Sequence, residues 1–337
     1  MYDIYEYEVY TVYTVLCCAV LVLYILYIRL HVVLLNCVLY VFEKHFLFTM
    51  ALSLQSTVTL RSGIEMPLFG LGTWLSANHG ECENAVRAAL DAGYRLIDTA
   101  QMYGNEADVG KAIKSWKLDN PEKPPPFIVT KLKGDAHEVG SVRQALKRSL
   151  QLLQLDSIDL FLIHSPSGRR CVDTWREMLS CRDEGLTRAI GVSNFGNAHI
   201  KGLEDVFGSE ALPEVNQIEL HVWKQQKNSV NFLREKGICV MGYCPLARCK
   251  KFGMTRLQEI AERRGVSEAN LCIRWSLEHG CITIPKSSNP ERIVSNAGVL
   301  EMIPFSPEEK EILAEIDEEF CASNSVKSMD LPWDEVS

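Results

Sequence analysis

No two of the 12 cysteines in this 337-residue chain are spaced C-x-x-C, which removes zinc ribbons and thioredoxin-like redox motifs from consideration. No N-x-S/T acceptor occurs either, and the nine cysteines from Cys82 to Cys321 are an odd set. Unpaired thiols without glycosylation sites belong to a reducing compartment, so the main body is expected in the cytosol with its thiols as core filler. Positive charge is in deficit: 35 Lys and Arg stand against 43 Asp and Glu, a net −8. That balance argues against a protein that grips a phosphate backbone, and no nucleic-acid partner is expected. A G-x-G-x-x-G fingerprint is missing as well, because Gly70-Leu71-Gly72 lacks its third glycine; a Rossmann dinucleotide fold is therefore not expected. With 47% hydrophobic residues, 13 Pro and 21 Gly, the chain has the composition of a folded core and not of a disordered or collagen-like one.

What is present falls into two parts. From Val9 to Ile28 there are 20 residues without a charge, about the length of a transmembrane helix. Asp3, Glu6 and Glu8 precede it, where a secretory signal wants positive charge. If this stretch spans a membrane, Arg29 and Lys44 behind it place the remainder on the cytosolic side. Composition changes at Met50, and Met50-Ala-Leu-Ser reads like the start of a soluble protein, so residues 1–49 read either as an anchor or as a leader that the working protein lacks. Residues 50–337 are expected to form the second unit.

From Met50 onward short apolar, β-branched runs alternate with amphipathic stretches. Strands are predicted at 67–72, 94–98, 127–132, 158–163, 188–192, 214–218, 238–243 and 281–285. Helices fall between them, with apolar residues three and four apart over Glu81–Ala92 and Ser141–Leu153. Eight β–α units of roughly 30–35 residues imply an α/β fold, a closed parallel (β/α)8 TIM barrel, where an open doubly wound sheet uses fewer strands. Thr57–Leu60 and Ile64–Met66, joined by Arg61-Ser62-Gly63, are predicted as a short N-terminal hairpin able to plug the barrel floor. A C-terminal tail after Ile316, carrying Trp333, is expected either to close over the pocket or to hang free.

Active sites in this fold lie at the carboxyl ends of the strands. Strand two ends at Asp98 and is followed closely by Tyr103; strand three ends in Thr130-Lys131 and strand four in His164. A tyrosine hydroxyl, with a pKa of about 10, needs a nearby cation to work as an acid at neutral pH. Lys131 could be that cation, Asp98 could hold it charged, and His164 could hydrogen-bond a substrate oxygen. Singly these residues have ordinary explanations: a helix cap, a rim aromatic, a solvated lysine, a core histidine. Their placement at three successive strand ends favours a joint role.

The segments Gly70-Leu71-Gly72-Thr73-Trp74, Gly93-Tyr94-Arg95-Leu96-Ile97-Asp98-Thr99-Ala100, Leu162-Ile163-His164-Ser165-Pro166, Gly191-Val192-Ser193-Asn194-Phe195 and Ile284-Pro285-Lys286-Ser287-Ser288 resemble the signatures of the aldo-keto reductase superfamily, in order, from about Leu60 to Ile316. The resemblance implies a catalytic tetrad of Asp98, Tyr103, Lys131 and His164, and carbonyl reduction with NADPH as cofactor. It further implies that Ser193, Asn194 and Gln217 bind the nicotinamide carboxamide and that Tyr243 stacks on the ring. Gly72, Thr73, Asp98, Cys244, Leu246, Ser288 and Asn296 are implied as further cofactor contacts. Lys286, Ser287 and Arg292 suit a 2′-phosphate, because Asn289-Pro290 begins a helix whose amino end favours anions. An NAD enzyme would instead present a carboxylate to the ribose.

Substrate contacts are expected from Trp74, Tyr103 and His164. Many members read His-Trp-Pro where this chain has His164-Ser165-Pro166, and the loops after His164 and Tyr243 are short, with a new helical pattern starting near Met254. The expected pocket is shallow and open, suited to small aldehydes such as methylglyoxal, in a monomer without a metal. Cys244 is a candidate reactive thiol or buried filler. Two other functions remain open on sequence: a non-catalytic NADPH-binding barrel subunit, and a prostaglandin F synthase-like endoperoxide reductase.

Overall fold

Beyond Leu52 the hydrophobic pattern switches between a period of two and a period of three to four, and the backbone follows it. The computed structural model describes residues 52–337 except 135, 136, 138, 139 and 254. The apolar segment 1–49 lies outside the described residues.

The expected hairpin consists of β1 (Thr57–Thr59) and β2 (Glu65–Pro67), paired antiparallel with Thr57 opposite Pro67. Gly63 closes its turn at a φ of 82°, a left-handed conformation that a side chain would strain. Strand and helix then alternate: β3 (Leu71–Gly72), α1 (Glu81–Asp91), β4 (Leu96–Asp98), α2 (Glu106–Asp119), β5 (Phe127–Leu132), α3 (Ser141–Leu153), β6 (Ile158–Ile163) and α4 (Cys171–Asp183). The second half continues with β7 (Thr187–Ser193), α5 (Asn197–Phe207), β8 (Val215–Glu219), α6 (Lys227–Glu235), β9 (Cys239–Tyr243), α7 (Thr255–Arg264), α8 (Glu268–Glu278), β10 (Ile282–Thr283) and α9 (Pro290–Ala297). After α10 (Pro307–Glu315) the chain forms a 3₁₀ turn over Asn324–Asp330 and ends in α11 (Trp333–Val336).

The strands β3 to β10 form one parallel sheet in chain order. Its two edges meet: bridges join Phe69 to Thr283 and Gly72 to Lys286, with Gly70 N–H donating to the Thr283 carbonyl at 3.0 Å and Gly72 N–H to that of Pro285 at 3.1 Å. The chain is thus a closed (β/α)8 barrel. At this seam the expected runs 67–72 and 281–285 shrink to two residues each, because single bridges replace a continuous ladder. Elsewhere the strands fall within two residues of their expected limits, and 127–132 and 158–163 match theirs.

Two cores result. Apolar strand residues facing outward, such as Ile97, Ile128, Ile190 and Ile218, join the cluster packed against the helices. The inward residues Leu96, Val129, Leu160, Leu162, Val215 and Met241 form a second cluster that contains no helix residue and is closed from below by Leu60 and Met66 around the hairpin. Five of the expected core-filling thiols are buried, Cys82, Cys171, Cys181, Cys272 and Cys281, but Cys249 and Cys321 are exposed because their segments run over the surface. Among the described residues no helix is long and apolar enough to cross a membrane.

The C-terminal tail closes over the barrel mouth. Trp333 packs on the bare backbone of Gly202, where a Cβ would overlap the indole, and His199 Nε2 donates to the Leu331 carbonyl at 2.7 Å.

Candidate active site

Alternation along the strands builds the site. Leu96 faces inward, so Asp98 does; Phe127 and Val129 face inward, so Lys131 does; Leu160 and Leu162 face inward, so the next such position is His164. The same parity brings Ser193, Gln217, Glu219 and Tyr243 to the top of the barrel interior, above the apolar cluster. Trp74, Met102, Tyr103, His164, Ser193, Asn194, Gln217, Tyr243 and Cys244 line one cavity there, of about 140 Å³.

Lys131 is fully buried and donates three hydrogen bonds: to Asp98 Oδ1 at 2.7 Å, to the Thr99 carbonyl at 2.9 Å and to the Tyr103 hydroxyl at 3.2 Å. The second Asp98 oxygen accepts from Gln217 Nε2 at 2.8 Å. Burial pushes the Asp98 carboxyl up and the Lys131 ammonium down, while each partner opposes the shift in the other. The ion pair is the state in which all of these hydrogen bonds are made. Thr73 fixes Asp98 from behind, its N–H and hydroxyl both donating to the Asp98 carbonyl at 3.0 Å.

Tyr103 differs from expectation in the direction of its pKa. Burial first, and the Asp98 carboxylate second, push the hydroxyl well above its ordinary value, so it stays protonated although Lys131 lies beside it. Low-dielectric surroundings penalise the phenolate more than one ammonium, already paired to a carboxylate, can offset. His164 packs edge-on to the Tyr103 ring with centroids 5.7 Å apart. Burial, with Lys131 second, pulls its pKa down to about 3, so the imidazole is neutral. Among the described residues no partner reaches its buried Nδ1. A buried N–H without an acceptor costs more than a bare lone pair, which assigns the proton to Nε2, the nitrogen left for the cavity.

Opposite Tyr103 lies a polar chain: Tyr243 OH donates to Asn194 Oδ1 at 2.7 Å, Asn194 Nδ2 to Ser193 Oγ at 3.0 Å, and Ser193 Oγ to the Gln217 carbonyl at 2.9 Å. Asn194 and Cys244 hold φ of 60° and 53°, left-handed values that non-glycine residues tolerate mainly at functional sites. Burial raises the Cys244 thiol to about 11, so it is a protonated wall residue and not a reactive thiolate. Trp74, partly exposed, has the Arg248 guanidinium 4.4 Å above its ring. Leu246 packs against the outer core.

The phosphate-end residues lie at the seam, outside this cavity. Gly72 is bridged to Lys286, Ser287 is buried, and α9 begins with Asn289 capping the Arg292 N–H at 2.9 Å. Ser288 is near Lys286, 3.4 Å from its Nζ, and Asn296 is buried one turn beyond Arg292. Unexpectedly, Glu81 of α1 stands 3.8 Å from Lys286, a loose pair that an incoming phosphate would have to displace. Among the described residues no cluster of three or more His, Cys, Asp or Glu is placed to hold a metal ion.

Sequence reasoning missed three parts of the site. Ser323 and Ser325 of the tail line the cavity. Glu219 is buried above it and bonds that tail. Gln217 supports Asp98 besides facing the cavity. The inward parity of Gln217 and Glu219 was readable from Val215-Asn216-Gln217-Ile218-Glu219; their partners, about a hundred residues away, were not.

The chain matches the model of the Aldo/keto reductase family over residues 68–318. It is 39% identical to a glyoxal reductase of Bacillus subtilis over 75% of this chain and 90% of that protein. It is 38% identical to a 9,11-endoperoxide prostaglandin H2 reductase of Trypanosoma cruzi, over 78% of this chain and 92% of that one. The crystal structure of a Bombyx mori aldo-keto reductase in complex with NADP superposes with a TM-score of 0.74 at 31% identity, over 82% of this chain and 97% of that one. The chain belongs to the aldo/keto reductase family.

Proposed function

We propose that this protein reduces small aldehydes to alcohols with NADPH, α-oxoaldehydes such as methylglyoxal foremost, and that Tyr103 is its proton donor. The observation that carries the reading is the buried chain Asp98–Lys131–Tyr103 ending beside a neutral His164 in a cavity of about 140 Å³.

When bound, NADPH would supply a hydride to the carbonyl carbon of the substrate. Tyr103 would give its hydroxyl proton to the carbonyl oxygen, and the Lys131 ammonium, 3.2 Å from that hydroxyl, would stabilise the phenolate. His164 Nε2–H donates to the same oxygen and polarises it without needing a charge of its own. Ser193, Asn194 and the carbonyl side of the Gln217 amide would hold the carboxamide of the cofactor, and Tyr243 would stack on its ring. Lys286, Ser287 and Arg292 would hold the 2′-phosphate at the amino end of α9. Gly72, Thr73, Leu246 and Ser288 would be further cofactor contacts, and Asn296, one turn beyond Arg292, would contact the adenine. Trp74 walls the substrate side.

The likeness to the glyoxal reductase of Bacillus subtilis supports a substrate of few heavy atoms. Endoperoxide reduction is the second reading, supported by the likeness to the Trypanosoma cruzi reductase; a prostaglandin-sized ligand would need the cavity to open. We read the enzyme as a monomer. The nine free cysteines among the described residues agree with a reducing, cytosolic location. We read residues 50–337 as the catalytic unit.

The test is NADPH and NADH oxidation by the full-length protein with methylglyoxal, benzaldehyde and a prostaglandin endoperoxide. NADPH-selective turnover with methylglyoxal fastest is the expected result. Cofactor binding without turnover of any of the three would move the reading to a non-catalytic subunit.

A further inference from the structure

Glu219 is a carboxylate at an inward position of β8, with no exposed surface. A barrel that buries a charge there must satisfy it, since an unpaired buried carboxylate is costly. Glu219 is met by three donors: the Ala322 N–H on Oε1 at 2.5 Å, the Ser323 N–H on Oε2 at 2.9 Å, and His221 Nε2 on Oε1 at 3.0 Å. His221 is itself buried, and its Nδ1 has no partner among the described residues, which again assigns the ring proton to the nitrogen facing Glu219.

Two of these donors belong to the tail. The segment they fix carries Ser323 and Ser325 into the cavity wall. Just upstream, the Glu318 and Phe320 N–H groups donate to the Trp223 carbonyl at 3.2 and 3.0 Å, so what Glu219 fixes is the stretch beyond Phe320. Lys224 pairs with Glu319 at 2.7 Å, but Glu319 is 69% exposed, where an ion pair contributes little. Trp333 and Leu331 dock farther along, on α5.

We propose that Glu219 is a positioning residue that sets substrate specificity: it latches the C-terminal segment over the cavity, so that Ser323 and Ser325 form the wall that fits small polar aldehydes. This rests on reading the cavity as the aldehyde pocket. The latch acts through backbone N–H groups, so it depends on Glu219 and not on the identity of the side chains it holds.

Glu219→Gln keeps the size but presents an NH₂ to one of the two tail N–H donors. For the full-length variant the Michaelis constant for methylglyoxal should rise about tenfold, the scale of one lost charge-assisted hydrogen bond, with kcat within about twofold. The preference for methylglyoxal over benzaldehyde should shrink, and NADPH affinity should not move. Trypsin should cut after the exposed Lys327 about tenfold faster, because cleavage follows the population of the released tail. Ala322→Pro removes one N–H from the tail side, leaves Glu219 itself in place, and should shift both readouts the same way by a smaller factor. Unchanged cleavage in a folded variant, or a fall in kcat with the Michaelis constant and substrate preference fixed, overturns the proposal. If E219Q does not fold, Ala322→Pro decides alone. If the wild type reduces no aldehyde, the proposed function fails, while the cleavage rate still decides whether the latch exists.

Discussion

Near the hairpin, the side chains pointing into the barrel are Leu96, Phe127, Val129, Leu160, Leu162 and Val215. One step further along the same strands they are Asp98, Lys131, His164 and Gln217. Both layers are buried and face the same axis, yet opposite physics holds them. The floor is held by non-directional burial, worth roughly 1.5–3 kcal/mol per large side chain and tolerant of small shifts. The mouth is held by an ion pair and aimed hydrogen bonds that repay desolvation only at the right geometry, and among the described residues a nitrogen of His164 has no partner. The floor supplies stability that the mouth gives up to be reactive.

The sharpest way to break that contrast is Tyr103→Phe, which deletes one oxygen at the mouth. Steady-state NADPH oxidation should fall by about 10²–10⁴-fold, the usual contribution of a positioned acid, while thermal unfolding and the apolar floor stay as they are. Next comes Lys131→Met. It strands Asp98 as an unpaired buried carboxylate and should cost about 3–5 kcal/mol in denaturant unfolding besides abolishing turnover. Leu160→Ala sharpens the contrast from the other side: about 2–5 kcal/mol of stability should be lost, yet turnover per folded molecule should stay within about twofold.

The smallest effect is in pH. His164 is held neutral with its pKa at about 3, so between that value and the unfolded value of about 6.5 the unfolded chain binds the extra proton. Stability is therefore present above pH 6.5 and lost as pH falls toward 3, and His199 and His279, also lowered by burial, add to the same slope. Melting temperatures from pH 7 to pH 4 should show the decline, and His164→Gln should flatten part of it. Over pH 5–8 the reduction rate should carry no inflection from His164; one that vanishes in H164Q would show that the imidazole titrates in the working site.

Most of the floor and much of the mouth could be read in advance, for one reason: inward parity continues along a strand. A strand with Val129 inside has Lys131 inside, and no tertiary knowledge is needed to say so. Limits of elements were less legible where Gly70, Gly72 and Pro285 interrupt the ladder at the seam. The direction of the Tyr103 pKa was not legible at all, because it depends on how much water reaches the hydroxyl, and that is set by Met102, His164 and the tail together.

The sequence by itself determined the eight alternating units, the apolar hairpin beneath them and which side chains share the interior, since these follow from periodicity within single segments. Only the tertiary structure decided which of those side chains meet. Gln217 finds Asp98 across 119 positions and Glu219 finds Ala322 across 103. No local pattern encodes such pairs, because a hydrogen bond needs its two atoms within about 3 Å, and closing the barrel is what brings them there.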